Sequence, residues 1–111
     1  MKYRLMLSLL FSSQLVACSL TLPVQGIVQN SDETFTGSAT GEMDGSGTLT
    51  LVSSKGARCQ GTFVYVTHRN GSGTFTCTDG RSGPFDFVST GTRGTGTGTL
   101  GPNQRFTFTF G

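Results

Sequence analysis

The sequence predicts an all-β fold: an antiparallel meander of about seven short strands, forming a small barrel or a strongly curled sheet. Three observations predict it. No window carries a 3.6-residue apolar period, and 17 glycines are spread along the chain, which together argue against helix. Apolar and polar residues alternate in short runs such as Phe106-Thr107-Phe108-Thr109-Phe110, the pattern of a half-buried strand. A strand-turn-strand unit also recurs about every 25 residues, the mark of a hairpin array. Gly45-Ser46-Gly47-Thr48-Leu49-Thr50 returns as Gly71-Ser72-Gly73-Thr74-Phe75-Thr76 and, more loosely, as Gly96-Thr97-Gly98-Thr99-Leu100.

The elements follow in order from Thr34, where the Gly/Thr/Phe-rich region begins with Phe35. The first repeat copy runs into the turn Ser53-Ser54-Lys55-Gly56, and the chain returns through Cys59, Gly61, Phe63 and Tyr65 on one face. The second copy places Gly73, Phe75 and Cys77 on one face, turns at Asp79-Gly80-Arg81 and returns through Phe85-Asp86-Phe87. The third copy turns at Gly101-Pro102-Asn103 and returns through Phe106, Phe108 and Phe110. Gly, Asn, Asp and Pro at these reversals are the residues that turns require.

A connection centred near His68 sets Cys59 directly opposite Cys77 on antiparallel neighbours, whereas a tighter turn at Asn70-Gly71 shifts the register. The wider loop is the expectation, with a Cys59–Cys77 disulfide on the aromatic face. That face collects Phe35, Leu49, Leu51, Phe63, Tyr65, Phe75, Phe85, Phe87, Phe106, Phe108 and Phe110. The other face is mostly threonine, a good strand former that tolerates water and is too polar for the outside of a lipid-embedded barrel. With no helix to cover the aromatic face, closure is the favoured solution.

The first residues carry a different signal. Lys2 and Arg4 precede an apolar run, Leu5 to Phe11, then a polar step and Leu15-Val16-Ala17-Cys18. The run is too short to span a bilayer. Leu15-Val16-Ala17-Cys18 resembles the lipobox of bacterial lipoprotein precursors. The resemblance implies removal of residues 1–17 as a signal peptide, acylation (palmitate included) of the Cys18 thiol and new amine, and membrane attachment through Cys18. Residues 18–33, with Pro23 and Gly26 and no sustained period, are then expected to form a lipidated tether, and 34–111 the all-β domain. In that family an Asp after the cysteine retains the protein at the inner membrane. Ser19 therefore implies an outer-membrane location, facing the periplasm or the cell surface. Export also suits the cysteine usage, since an envelope compartment is oxidising.

The formal net charge of +2 loses Lys2 and Arg4 with the signal peptide. Lys55, Arg58, Arg69, Arg81, Arg93 and Arg105 then stand against Asp32, Glu33, Glu42, Asp44, Asp79 and Asp86. Such a balance lacks the clustered basic footprint that nucleic acid needs.

Gly96-Thr97-Gly98-Thr99-Leu100-Gly101 spells G-x-G-x-x-G, but Pro102 and a strand-like run follow where a phosphate-binding helix is required. No nucleotide or other cofactor is expected. One His and two remaining cysteines without C-x-x-C give no zinc set. His68 is the sole histidine and sits in a loop, so any acid–base proposal must pass through it. Asp79 and Asp86 are the only carboxylates worth considering as a pair, and Asp79 has a turn-forming reason to be beside Gly80. No catalytic residue is assigned.

Gly71-Ser72-Gly73-Thr74-Phe75 with Asp79-Gly80 resembles part of a MORN repeat. The chain departs from that repeat beyond Gly80, where the aromatic and glycine expected of the family are Gly83 and Phe85. Ser82-Gly83 resembles a short element of the lipoprotein inhibitors of lysozyme, which are disulfide-bearing β-barrels. The expectation is a non-catalytic envelope module, binding or structural, accessory to an envelope assembly and contacting a protein partner. Hydrolase inhibition is the alternative.

Overall fold

A computed structural model describes residues 18–111; the expected signal segment, 1–17, lies outside the described residues. Eight strands follow one another: β1 (Ser19–Val28), β2 (Thr34–Glu42), β3 (Ser46–Ser53), β4 (Arg58–Tyr65), β5 (Asn70–Cys77), β6 (Ser82–Thr90), β7 (Arg93–Thr99) and β8 (Arg105–Phe110). Each pairs antiparallel with its predecessor, and β8 pairs with β1 to close the barrel.

The all-β meander, its closure and the disulfide match the expectation. The tether does not. Ser19–Val28, expected as a flexible spacer, is the strand that completes the barrel, so there are eight strands rather than seven. Alternate residues Leu20, Leu22, Val24, Gly26 and Val28 point to the interior, and Val24 and Val28 are buried there. Pro23 is tolerated because it lies where β8 stops. The Gly111 N–H donates to the Pro23 carbonyl, and an antiparallel residue presents its N and C=O on the same side. The missing proline N–H therefore falls beyond the paired length of β8.

The hairpins β1–β2, β3–β4, β5–β6 and β7–β8 repeat one backbone pattern. Val28, Ser53, Cys77 and Leu100 donate N–H bonds to the carbonyls of Glu33, Ala57, Arg81 and Gln104. The next residue of each turn, Gln29, Ser54, Thr78 or Gly101, donates to the first residue of the preceding unit's return strand, with Gln29 reaching Arg105 to complete the ring. The structural period is therefore about 24 residues, slightly shorter than the Gly-Ser-Gly match in the sequence suggests. The two alignments differ by two residues, an even slip that keeps the same side chains facing inward.

An eight-stranded barrel is just wide enough to be filled by side chains. Here the filling alternates between phenylalanine and glycine across the ladder. Phe63 lies opposite Gly47 and Gly73, Phe85 opposite Gly73 and Gly98, Phe87 opposite Gly71 and Gly96, and Phe108 opposite Gly96 and Gly26. The rings occupy space that the glycines vacate and meet edge to face or tilted, the closest being Phe75–Phe106 and Phe63–Phe87, both edge to face at 5.3 Å. The outward positions are mostly threonine, serine, Gln25, Arg58, Gln60 and Asp86, interrupted by the exposed Ile27, Val52, Val64 and Val88; Ser38, Thr40, Ser46, Ser72, Thr99 and Thr107 are half-buried. Apolar inside and mostly polar outside is the reverse of a lipid-embedded barrel.

Cys59 pairs directly with Cys77 across β4 and β5, and the two form the disulfide. The wide loop at 66–69 gives this register, as expected. With 18 residues between the cysteines in sequence, chain entropy gives a stabilisation of about 3 kcal/mol. Cys59→Ala/Cys77→Ala is accordingly expected to lower the unfolding free energy by about 3 kcal/mol in urea titration, with retained β-sheet circular dichroism below the transition.

Candidate functional site

The two ends of the barrel differ in chemistry. The turns at 29–33, 54–57, 78–81 and 101–104 gather at one end, which is sealed by a polar network. Its members stand at equivalent places in the four hairpins: Glu33, Ala57, Arg81 and Gln104, each immediately preceding a return strand. Arg81 forks onto Glu33, Nη1 to Oε1 at 2.8 Å and Nη2 to Oε2 at 2.6 Å. Its Nη1 also donates to Gln104 Oε1 at 3.3 Å, and its Nε to Asp79 Oδ2 at 2.9 Å. The Ser53 hydroxyl donates to Glu33 Oε2, and the guanidinium lies 5.9 Å from the centroid of the Phe35 ring.

Glu33 is only 2 % exposed. The Arg81 hydrogen bonds hold its carboxyl at about 2, well below the usual 4.5, outweighing the opposing effect of burial, with the Ser53 donation adding to the lowering. The same pairing raises Arg81 further above its ordinary value. Among the described residues no buried side-chain polar atom lacks a partner. A charge pair so completely satisfied is a structural seal. The Lys55–Asp32 pair on the outside of this end, at 3.6 Å and largely solvent-exposed, contributes little.

The other end is open. It carries Cys18, the loops at 43–45, 66–69 and 91–92, and an apolar cavity of about 110 Å³ lined by Leu20, Leu22, Val24, Tyr65, Phe87 and Phe110 among others. Strand β1 overshoots β8 here. Its pairing with β8 begins at Val24, Pro23 accepts one bond from Gly111, and Ser19 to Leu22 pair with β2 alone. The wall beside Leu20 and Leu22 therefore lacks β8, and both side chains line the cavity. Tyr65 leans across the mouth, edge to face with Phe87 at 5.1 Å, and its hydroxyl donates to Ser89 Oγ at 3.2 Å.

Cys18 immediately precedes β1 and is exposed with a free thiol. His68 is exposed in the 66–69 loop, and no hydrogen bond joins its side chain to a nucleophile or carboxylate among the described residues. Asp79 sits at the sealed end, engaged with Arg81, whereas Asp86 faces outward from β6 between Ser72 and Thr97. The two carboxylates are not brought together. Gly96 and Gly98 of the G-x-G-x-x-G face the barrel interior, and Gly101 leads into β8. Among the described residues no three His, Cys, Asp or Glu side chains converge as a metal site.

Sequence reasoning did not find the seal. Glu33 fell in the expected tether and Arg81 in a turn. A signal was present, because opposite charges stand at the same place in the first and third hairpins. No family model matches the chain, and comparisons with curated proteins and with solved structures find no match.

Proposed function

We propose that this protein is a lipid-anchored lipoprotein of the outer membrane whose barrel serves as a non-catalytic binding or structural module in the envelope. The observation that carries the reading is the position of Cys18: exposed, free, and directly ahead of the first strand, at the end of Leu15-Val16-Ala17-Cys18. A thiol to be acylated must be accessible to the lipid donor and must not be committed to the core. Cys59 and Cys77 are committed to a disulfide, which leaves Cys18 as the acceptor. The disulfide suits an oxidising envelope, and more than one acyl chain makes attachment firm, at about 0.8 kcal/mol per buried CH2.

The experiment is mass spectrometry of the amino-terminal peptide from protein isolated from membranes, together with fractionation of a Cys18→Ala variant. The expected peptide begins at an acylated Cys18, and the variant is lost from the outer-membrane fraction. An unmodified Cys18, or a variant still found in that fraction, overturns the reading.

A further inference from the structure

The geometry points to the open end of the barrel as a membrane-docking face: the rim rests on the bilayer surface, and the sealed end points away from it. The inference builds on Cys18 as the lipid anchor, but it concerns a different set of residues.

The first argument is the distribution of exposed apolar side chains. The most exposed large apolar side chains, Met43 at 83 % and Val66 at 70 %, belong to the open end together with Leu20 at 51 %, whereas Ile27, Val52, Val64 and Val88, each about half exposed, lie singly along the wall. Tyr65 joins them beside the cavity. Hairpin tips are normally polar, and the turns of the sealed end follow that rule, with Asn30-Ser31-Asp32, Ser54-Lys55-Gly56, Asp79-Gly80 and Gly101-Pro102-Asn103 and no exposed large hydrophobic side chain. Exposed apolar side chains set among polar ones around an apolar mouth mark a surface that an amphipathic phase, apolar below and polar above, covers.

The second argument says which phase. Consecutive Cα atoms are about 3.8 Å apart, and β1 begins at Ser19, one residue after the anchor. No length of free chain separates an acylated Cys18 from the rim. The register pairs Ser19 with Glu42, so Met43 stands level with Cys18. The Tyr65 N–H donates to the Gly45 carbonyl, and the Ser89 N–H donates to the Arg69 carbonyl, so the loops of this end are tied into one rim. Acyl chains entering the bilayer at Cys18 therefore bring that rim to the headgroups.

The charges at this end are compatible with a phospholipid surface. Arg69 and Arg93 are exposed and available to phosphates. Asp44 is turned into its own loop, accepting from the Ser46 N–H at 3.0 Å and from the Ser46 hydroxyl at 2.6 Å. Glu42 remains exposed. The outer wall is mostly polar, and its exposed Ile27, Val52, Val64 and Val88 stand singly on four different strands, so contact centres on the rim and the barrel does not sink into the hydrocarbon.

The sequence contains no tryptophan, so single substitutions report depth without background. Full-length protein carrying Met43→Trp, Val66→Trp, Gln60→Trp or Asn103→Trp would be purified from membranes. Each would be reconstituted in vesicles of mixed zwitterionic and anionic phospholipids with brominated acyl chains. Urea titration would confirm that each variant folds. The Met43 and Val66 probes should shift to the blue and be quenched several-fold more than the Gln60 probe on the wall and the Asn103 probe at the sealed end. Equal quenching at all four sites, or strongest quenching at Asn103, overturns the docking face. Mass spectrometry of the same samples reports Cys18 separately. If Cys18 is unmodified while the rim probes are still selectively quenched, the anchor reading falls and the docking face stands. If Cys18 is acylated and the rim probes stay unquenched, the anchor stands and the docking face falls.

Discussion

Glu33→Ala should lower the unfolding free energy by about 3–5 kcal/mol, the usual consequence of removing one partner of a buried ion pair. The substitution leaves Arg81, only 22 % exposed in its side chain, facing the space where a bidentate carboxylate stood. It also strips the Ser53 hydroxyl of its acceptor. Asp79 retains one contact with the guanidinium, which moderates the loss. Glu33→Gln is milder at neutral pH, because the amide oxygen still accepts from Arg81 or Ser53, and it exposes the electrostatic part through acid titration. A carboxyl held at about 2 when folded and near 4.5 when unfolded binds more protons in the unfolded state between those values. Its contribution is therefore fully present above about pH 4.5 and is lost as pH falls toward about 2, amounting to about 3 kcal/mol. Arg81 stays charged throughout. Asp44 is also lowered, but it titrates alike in both proteins and cancels in the comparison. Urea midpoints measured at neutral pH and down to pH 2.5 should show wild type losing stability toward acid along a steeper line than Glu33→Gln. Parallel lines would mean that the seal is not what acid opens.

The strand that completes the open mouth and leads into Glu33 of the seal is hidden in the sequence by its own residues. Pro23 and Gly26 read as punctuation, and they mask a period-2 pattern in which Leu20, Leu22, Val24 and Val28 fall on one side. A strand whose partners are the next strand and the last one has only half of its logic nearby. What closes β1 onto β8 is a contact between the first and last strands, Val28 with Phe106, and no local pattern announces it. From Thr34 onward the signals are local, and strands β2 to β8 follow them. Alternation gave the inner face, and turn residues gave the reversals. The equal distances of Cys59 and Cys77 from His68 gave the register. The repeat also carried the seal, at Glu33, Ala57, Arg81 and Gln104. Its four members share a place and not a residue type, so similarity between copies passes over them.

The glycines provide the other large effect. Gly98→Ala adds one methyl group, and a Cβ there would stand 2.6 Å from Phe106 Cε1 and Cζ and 2.8 Å from the Pro84 carbonyl oxygen. Phe106 cannot simply swing aside, because its ring meets Phe75 edge to face at 5.3 Å and packs beside Phe108 at 5.7 Å. Overpacking of this kind costs about 1–3 kcal/mol. Phe106→Ala removes a ring that is 4 % exposed and should cost about 3–5 kcal/mol. The two changes relieve each other, since the methyl group then occupies part of the space that the ring vacated. The double variant should accordingly be more stable than the sum of the single losses predicts, by at least about 0.5 kcal/mol, the scale of coupling between residues in contact. Gly41→Ala is the matched control. It also faces inward on the ladder, yet a Cβ there meets nothing within 4 Å. Its backbone does not require a left-handed φ, so the change should stabilise by about 0.4–1 kcal/mol through the unfolded chain. Urea titration of the four proteins separates the possibilities. If Gly98→Ala is as stable as Gly41→Ala, ring-over-glycine packing is not what specifies the barrel. If the losses at Gly98 and Phe106 simply add, the two residues do not share the space that the structure gives them.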